Sequence, residues 1–143
     1  ARLLADGKPL PDYATRYPVF YAGPAQTPEG CVTGSIGPTT AGRMDDYADR
    51  FMERGAALVT IAKGNRSEKW AAACSKYGGV YLGMVGGAAA LIAEKYVLSS
   101  ELVDYADLGM EAVRLISVRD MPVFVVTNAR GNDLYAMIRE GAS

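Results

Sequence analysis

Between Gly34 and Asp45 the chain reads Gly-Ser-Ile-Gly-Pro-Thr-Thr-Ala-Gly-Arg-Met-Asp. A loop that only connects two elements has no need of that mixture. The glycines let the backbone approach a ligand closely. Thr39, Thr40 and Arg43 add two hydroxyls and a guanidinium just ahead of an amphipathic stretch. Backbone N–H groups at a helix start, hydroxyls and a guanidinium converge on the same chemistry, the holding of an anion. A second polar loop, Lys63-Gly64-Asn65-Arg66, follows the apolar run Ala57–Ala62.

Each of these residues also has an ordinary explanation. Arg43 falls in the first turn of its helix, where a cation faces the positive end of the macrodipole. Asp45 and Asp46 offset that cost, and Arg43 either pairs with one of them or forks onto a carboxylate or phosphate. One threonine caps the helix, which leaves the other hydroxyl for a ligand. A threonine is a poor general base unless a neighbouring group activates it. Lys63 either snorkels at a strand end or contacts a ligand across the opening that Gly64 leaves. Gly37-x4-Gly42-Arg43-Met44 superficially has the spacing of a P-loop. However, Arg stands where that motif has Lys, Met stands in place of the magnesium-binding hydroxyl, and Pro38 removes an N–H donor. Nucleotide binding is set aside on those grounds.

The elements that must hold these loops are legible from periodicity. Met44, Tyr47, Ala48, Phe51 and Met52 recur at helical spacing, which predicts a helix over Arg43–Arg54 closed by Gly55. Cys31–Ile36 reads as a short strand before it and Ala57–Ala62 as a buried strand after it. Ser67 is a candidate N-cap for a helix to Tyr77, stopped by Gly78-Gly79. Strand–helix–strand–helix implies a right-handed βαβ unit, whose loops emerge along one sheet edge. Thr39, Thr40 and Arg43 are thereby expected beside Lys63 and Asn65, at the edge where open α/β sheets bind ligands. Elsewhere, residues 1–18 read as a surface lead-in and Val19–Ala22 as a strand. Val80–Leu82 reads as a strand, and Gly86-Gly87 opens an Ala-rich helix to about Tyr96. Leu102–Tyr105, Ala112–Val118 and Pro122–Thr127 read as strands, and Arg130-Gly131-Asn132 as a turn.

Composition narrows the function classes. The chain has 143 residues, half of them hydrophobic, which fits one α/β domain with a real core. A formal net charge of −1 disfavours nucleic acid as a partner. There is no histidine, so any acid–base work at neutral pH needs another group. The two cysteines, Cys31 and Cys74, cannot by themselves make a zinc site or hold an iron–sulfur cluster. They fit a reducing compartment, the cytoplasm or a mitochondrial matrix. The longest apolar run, Tyr81–Ala93, is broken by glycines and too short to span a bilayer. No signal peptide is visible, and the chain is expected to continue upstream of Ala1.

Gly37-Pro38-Thr39-Thr40-Ala41-Gly42-Arg43-Met44-Asp45 followed by Ala62-Lys63-Gly64-Asn65-Arg66-Ser67 resembles the C-terminal domain of class I, iron–sulfur fumarate hydratases. Further matching pieces are Tyr21-Ala22-Gly23-Pro24, Gly78-Gly79-Val80-Tyr81-Leu82-Gly83, Leu108-Gly109-Met110-Glu111-Ala112 and Gly131-Asn132-Asp133. The resemblance covers about Val19 to Tyr135. The β subunit of L-tartrate dehydratase is similar in the first motif, while the Lys-Gly-Asn-Arg-Ser form is closer to the long single-chain fumarases.

The resemblance implies a single swivelling β/β/α domain with a partly parallel central sheet. It implies a larger N-terminal domain that carries a 4Fe-4S cluster, and a full enzyme that is a homodimer. The implied reaction is reversible hydration of fumarate to (S)-malate. By motif, Thr39 corresponds to the catalytic base, and Arg43 and Lys63 to ligands of the substrate carboxylates. Thr40 and Asn65 are expected to join them in binding substrate. The family's Arg-Asp-Ala-Ala-His segment lies upstream of the region matched here, so the chain alone is expected to be inactive. Two alternatives remain: a subunit of a related dicarboxylate hydro-lyase, and a non-catalytic anion-binding module.

Overall fold

The computed structural model describes residues 2–141. The chain divides into two compact units. The first is formed by the N-terminal segment to Tyr21, by Thr40–Met84 and by the segment from Val123 onward. The second comprises Ala22–Thr39 and Val85–Pro122.

The first unit is built on a four-stranded sheet, β1 (Val19–Phe20), β2 (Val59–Ala62), β3 (Val80–Gly83) and β6 (Phe124–Thr127), in that spatial order. β1, β2 and β3 run parallel and β6 antiparallel, so the sheet is mixed and partly parallel, as expected. Helix α4 (Glu68–Tyr77) crosses from β2 to β3. Its start is fixed by Ser67, whose Oγ accepts the Trp70 N–H at 3.4 Å. Its end is fixed by Gly78 in the left-handed conformation, with its N–H donating to the Cys74 carbonyl at 2.8 Å. Between those caps Trp70, Ala73 and Cys74 turn inward and join Met52, Ala62, Tyr81 and Val126 in the core.

The second unit contains α5 (Ala89–Tyr96) and a two-stranded antiparallel ribbon, β4 (Val97–Asp104) with β5 (Val113–Val118). Ala112–Val118 and Pro122–Thr127 do mark strands. Those strands enter different sheets, β5 pairing with β4 and β6 with β3. β4 starts several residues before the expected Leu102, directly after α5.

Three expectations differ from the structure, and one helix lies where none is expected. Within the expected surface lead-in, residues 2–5 and 12–16 form two short helices that the sequence reading lacks, α1 (Arg2–Ala5) and α2 (Asp12–Arg16). Cys31–Ile36 is not a strand. Its backbone is committed to loop bonds, Ser35 C=O accepting from Ala25 N–H and Ile36 N–H donating to Ala89 C=O. The parallel partner of β2 is instead β1. The Arg43–Arg54 helix begins as a 3₁₀ turn over Ala41–Tyr47 and becomes α-helical only in α3 (Ala48–Met52). The tighter turn changes the side-chain period, so Met44 and Tyr47 are exposed while Ala48 and Met52 are buried. Finally, α6 (Leu134–Gly141) was not anticipated at all.

Candidate functional site

The two polar loops do meet, within the first unit. Thr40 and Lys63 form a parallel bridge, and the Ala41 N–H donates to the Lys63 carbonyl at 3.0 Å. At Gly42 a Cβ would come within 3.3 Å of the Asn65 carbonyl oxygen, closer than side chains normally sit. At Gly64 the backbone has φ +83°, a conformation that favours glycine, and the Thr40 methyl lies 3.7 Å from where its Cβ would be. Met84 extends the adjacent edge by donating its N–H to the Ala62 carbonyl at 2.8 Å. The glycine stretch thus reaches the end of β2 by a backbone bridge rather than from a strand of its own.

Four of the five candidate residues form an exposed rim on these segments. Thr40, Arg43, Lys63 and Asn65 are all exposed. Among the described residues, none of the four side chains takes part in a hydrogen bond or ion pair. Thr40 occupies the cap position of the 3₁₀ turn without making a capping hydrogen bond, so its hydroxyl is spare. The ordinary explanation for Arg43 is not realised, because both nearby aspartates are committed elsewhere. Asp45 pairs with Arg66 and Asp46 with Lys69. Thr39, the fifth candidate, is half-buried and belongs to the second unit, one peptide bond before the rim begins.

Beneath the rim lies a buried floor that sequence reasoning missed. The Arg66 side chain is fully buried. Its Nε donates to Asp45 Oδ1 at 2.6 Å, and the Ser67 N–H donates to Asp45 Oδ2 at 2.6 Å. Asp45 thereby does two jobs: it neutralises Arg66 and places a carboxylate at the N-terminus of α4. The guanidinium carbon sits 3.3 Å from the centroid of the Trp70 ring, with the Tyr81 and Tyr21 rings at 5.2 and 5.8 Å. A desolvated cation over an aromatic face is worth about 2 kcal/mol. The Tyr81 hydroxyl donates to the Gly64 carbonyl at 2.8 Å, so a residue of β3 anchors the loop after β2. Burial pushes the Tyr81 phenol up to about 12, against the lowering influence of Arg66. Burial likewise raises Tyr21, and lifts the Cys74 thiol to about 11. The available signal was the order Asn65-Arg66-Ser67, which puts a cation immediately before a helix N-cap. Nothing local said that Asp45 would be its partner.

A cavity of about 300 Å³ opens elsewhere in the same unit, lined by Asp45, Asp46, Asp49, Lys69 and Lys76 among others. Its lysines are already paired, Lys69 with Asp46 and Lys76 with Asp49, and the rim cations do not line it. The residues present do not fit a metal cluster either. Cys31 is exposed in the second unit and Cys74 is buried in the first. Among the described residues no three His, Cys, Asp or Glu side chains form a group that could hold a metal. No helix among them is long and apolar enough to cross a membrane.

The fold is a mixed α/β one whose exposed rim carries two cations and a hydroxyl. Residues 1–138 match the family described as Fumarase C-terminus, and the chain belongs to that family. It is 48% identical over 134 residues to the aerobic class I fumarate hydratase of Escherichia coli K12, covering 94% of this chain and 24% of that protein. It is 50% identical over 136 residues to the mitochondrial fumarate hydratase 1 of Leishmania major, covering 95% of this chain and 25% of that protein. A more distant relative is a putative L(+)-tartrate dehydratase β subunit of Methanocaldococcus jannaschii. It is 30% identical over 142 residues, covering 96% of this chain and 73% of the subunit. The chain spans about a quarter of the length of the curated fumarate hydratases it matches.

Proposed function

We propose that this chain is the substrate-gripping domain of a hydro-lyase that reversibly hydrates fumarate to (S)-malate. The observation that carries the reading is the Thr40–Lys63 bridge, which sets two unpaired cations and two spare polar groups on adjoining backbone segments. A dicarboxylate presents two planar anions, and the rim offers a fork in Arg43 and a point charge in Lys63. In this reading Arg43 takes one carboxylate and Lys63 the other, while Thr40 and Asn65 supply neutral hydrogen bonds. Thr39, next in the chain, acts as the base, assisted by an acidic group from outside this chain, since an isolated threonine hydroxyl is too weak. The 4Fe-4S cluster would be held by an N-terminal, cluster-bearing domain, because no ligand set for it is found among the described residues. The full enzyme would be a homodimer in the cytoplasm or the mitochondrial matrix, and the chain by itself inactive.

The test is fumarate hydration by the full enzyme carrying Arg43→Ala or Lys63→Ala. The reading expects a raised KM and a lowered kcat in each, with the fold intact. Unchanged kinetics in both would defeat it. A second reading, the β subunit of a two-subunit dicarboxylate dehydratase, is favoured by the 73% coverage of the tartrate dehydratase relative. A comparison of turnover on fumarate and on tartrate separates the two. An anion-binding module would instead bind inorganic phosphate as the isolated chain and need no partner.

A further inference from the structure

Lys63 is exposed, with a long stem and no partner of its own among the described residues. What can fix it is the backbone on either side. On one side its carbonyl accepts the Ala41 N–H. On the other, the Gly64 carbonyl accepts the Tyr81 hydroxyl at 2.8 Å. Gly64 is the most permissive residue in the loop, and it sits at positive φ. Without an external restraint that peptide has more freedom than its neighbours. Tyr81 is well placed to restrain it. Its ring is fully buried in the core, and its strand is registered against β2 at Thr60. The phenol therefore reports the position of the sheet to the loop.

We propose that Tyr81 is a positioning residue for the substrate-binding loop: its hydroxyl locks the Gly64 peptide and so presents Lys63 and Asn65 to the dicarboxylate. The inference rests on the reading of Lys63 as a substrate ligand. It assigns Tyr81 no contact with substrate and no proton-transfer role. Loss of the hydrogen bond frees the loop in the unliganded state, and substrate binding must then order it again. That cost falls on binding more than on the chemical step.

The experiment uses the full enzyme carrying Tyr81→Phe, which keeps the ring and removes only the donor. The net worth of one hydrogen bond corresponds to a KM increase of roughly threefold to tenfold, with kcat within about twofold. Amide exchange at Gly64 and Asn65 should quicken in the same variant. In a Lys63→Ala background the Tyr81→Phe substitution should raise KM by less than it does alone, because one of the two groups it positions is gone. Incorporation of 4-aminophenylalanine at position 81 restores a donor and should restore KM; it also serves if the Phe variant folds poorly. If Lys63→Ala raises KM while Tyr81→Phe leaves KM and amide exchange unchanged, the positioning role is wrong and the reading of Lys63 stands. If Lys63→Ala itself leaves KM unchanged, that reading fails and the positioning role falls with it.

Discussion

Arg66 and Arg43 carry the same charge on neighbouring loops of one unit, yet their surroundings have nothing in common. Arg66 is fully buried, bonded to Asp45, and stacked on Trp70. Arg43 is exposed, and no side chain among the described residues pairs with it. The floor and the rim divide the labour. Burial of a guanidinium is tolerable only with a carboxylate and an aromatic face against it, so Arg66 is spent on holding the Lys63–Ser67 loop to the 3₁₀ turn and α4. The Asp45–Arg66 pair also removes the aspartate that would otherwise have neutralised Arg43. Pairing of Asp45 with Arg66 in the floor therefore leaves Arg43 without that carboxylate. Residue type alone does not separate a buried, partnered cation from an exposed, unpartnered one; what packs on it does.

The largest effect should come from breaking the floor. Asp45→Ala strands a buried cation and the N-terminal amide of α4, and should cost about 3–5 kcal/mol in urea unfolding. A loss below about 1 kcal/mol would mean that solvent already reaches Arg66. Next comes Thr39→Val in the full enzyme, expected to lower kcat by roughly a hundredfold or more while KM changes little. An equal rise in KM with kcat preserved would move Thr39 from chemistry to binding.

Alkaline pH should loosen the floor by a smaller amount. Burial raises the Cys74 thiol from 9.0 to about 11 and the Tyr81 phenol from 10.0 to about 12. The folded state holds these protons more tightly than the unfolded chain does. Their contribution to stability is therefore complete below about pH 9 and is lost as pH rises through the folded values. Unfolding free energy should be flat from pH 7 to 9 and fall above it, less steeply in Cys74→Ala. A flat profile to pH 11 would contradict the burial of both groups. The smallest effect belongs to the exposed pair: Asp46→Ala removes the partner of Lys69, a contact with both side chains about four-fifths exposed, and should cost no more than about 1 kcal/mol.

Much of the scaffold was legible because its signals are local. Ser67 and Gly78 bracket α4, and the apolar run Ala57–Ala62 contains strand β2, which begins two residues later at Val59. The adjacency of the glycine stretch and the Lys63 loop was also legible, although for a partly wrong reason. The inferred strand Cys31–Ile36 does not exist, and the adjacency comes from the Thr40–Lys63 bridge. The strand was misread because Cys31-Val32 looks β-prone, whereas Gly34 is pressed against the Ala25 and Gln26 carbonyls, where a Cβ would overlap them. The floor was illegible because its bonds are non-local. Asp45 meets Arg66 across 21 positions and Tyr81 meets Gly64 across 17. Such pairings depend on strand register, which no window of sequence contains. The exposed Met44 and Tyr47 were misassigned because a 3₁₀ turn replaces the 3.6-residue period on which the expectation relied.

The central claim is that the rim grips substrate and does not support the fold. It is tested most directly by the Arg43→Ala/Lys63→Ala double variant of the full enzyme, with fumarate kinetics and thermal unfolding measured on the same preparation. Two lost charge-assisted hydrogen bonds predict a fall in kcat/KM of roughly a hundredfold to ten-thousandfold. The unfolding midpoint should stay within about 2 °C of the parent, as expected of exposed side chains without partners. A kcat/KM within a few-fold of the parent, or a loss of activity that simply follows a lowered midpoint, would contradict the account.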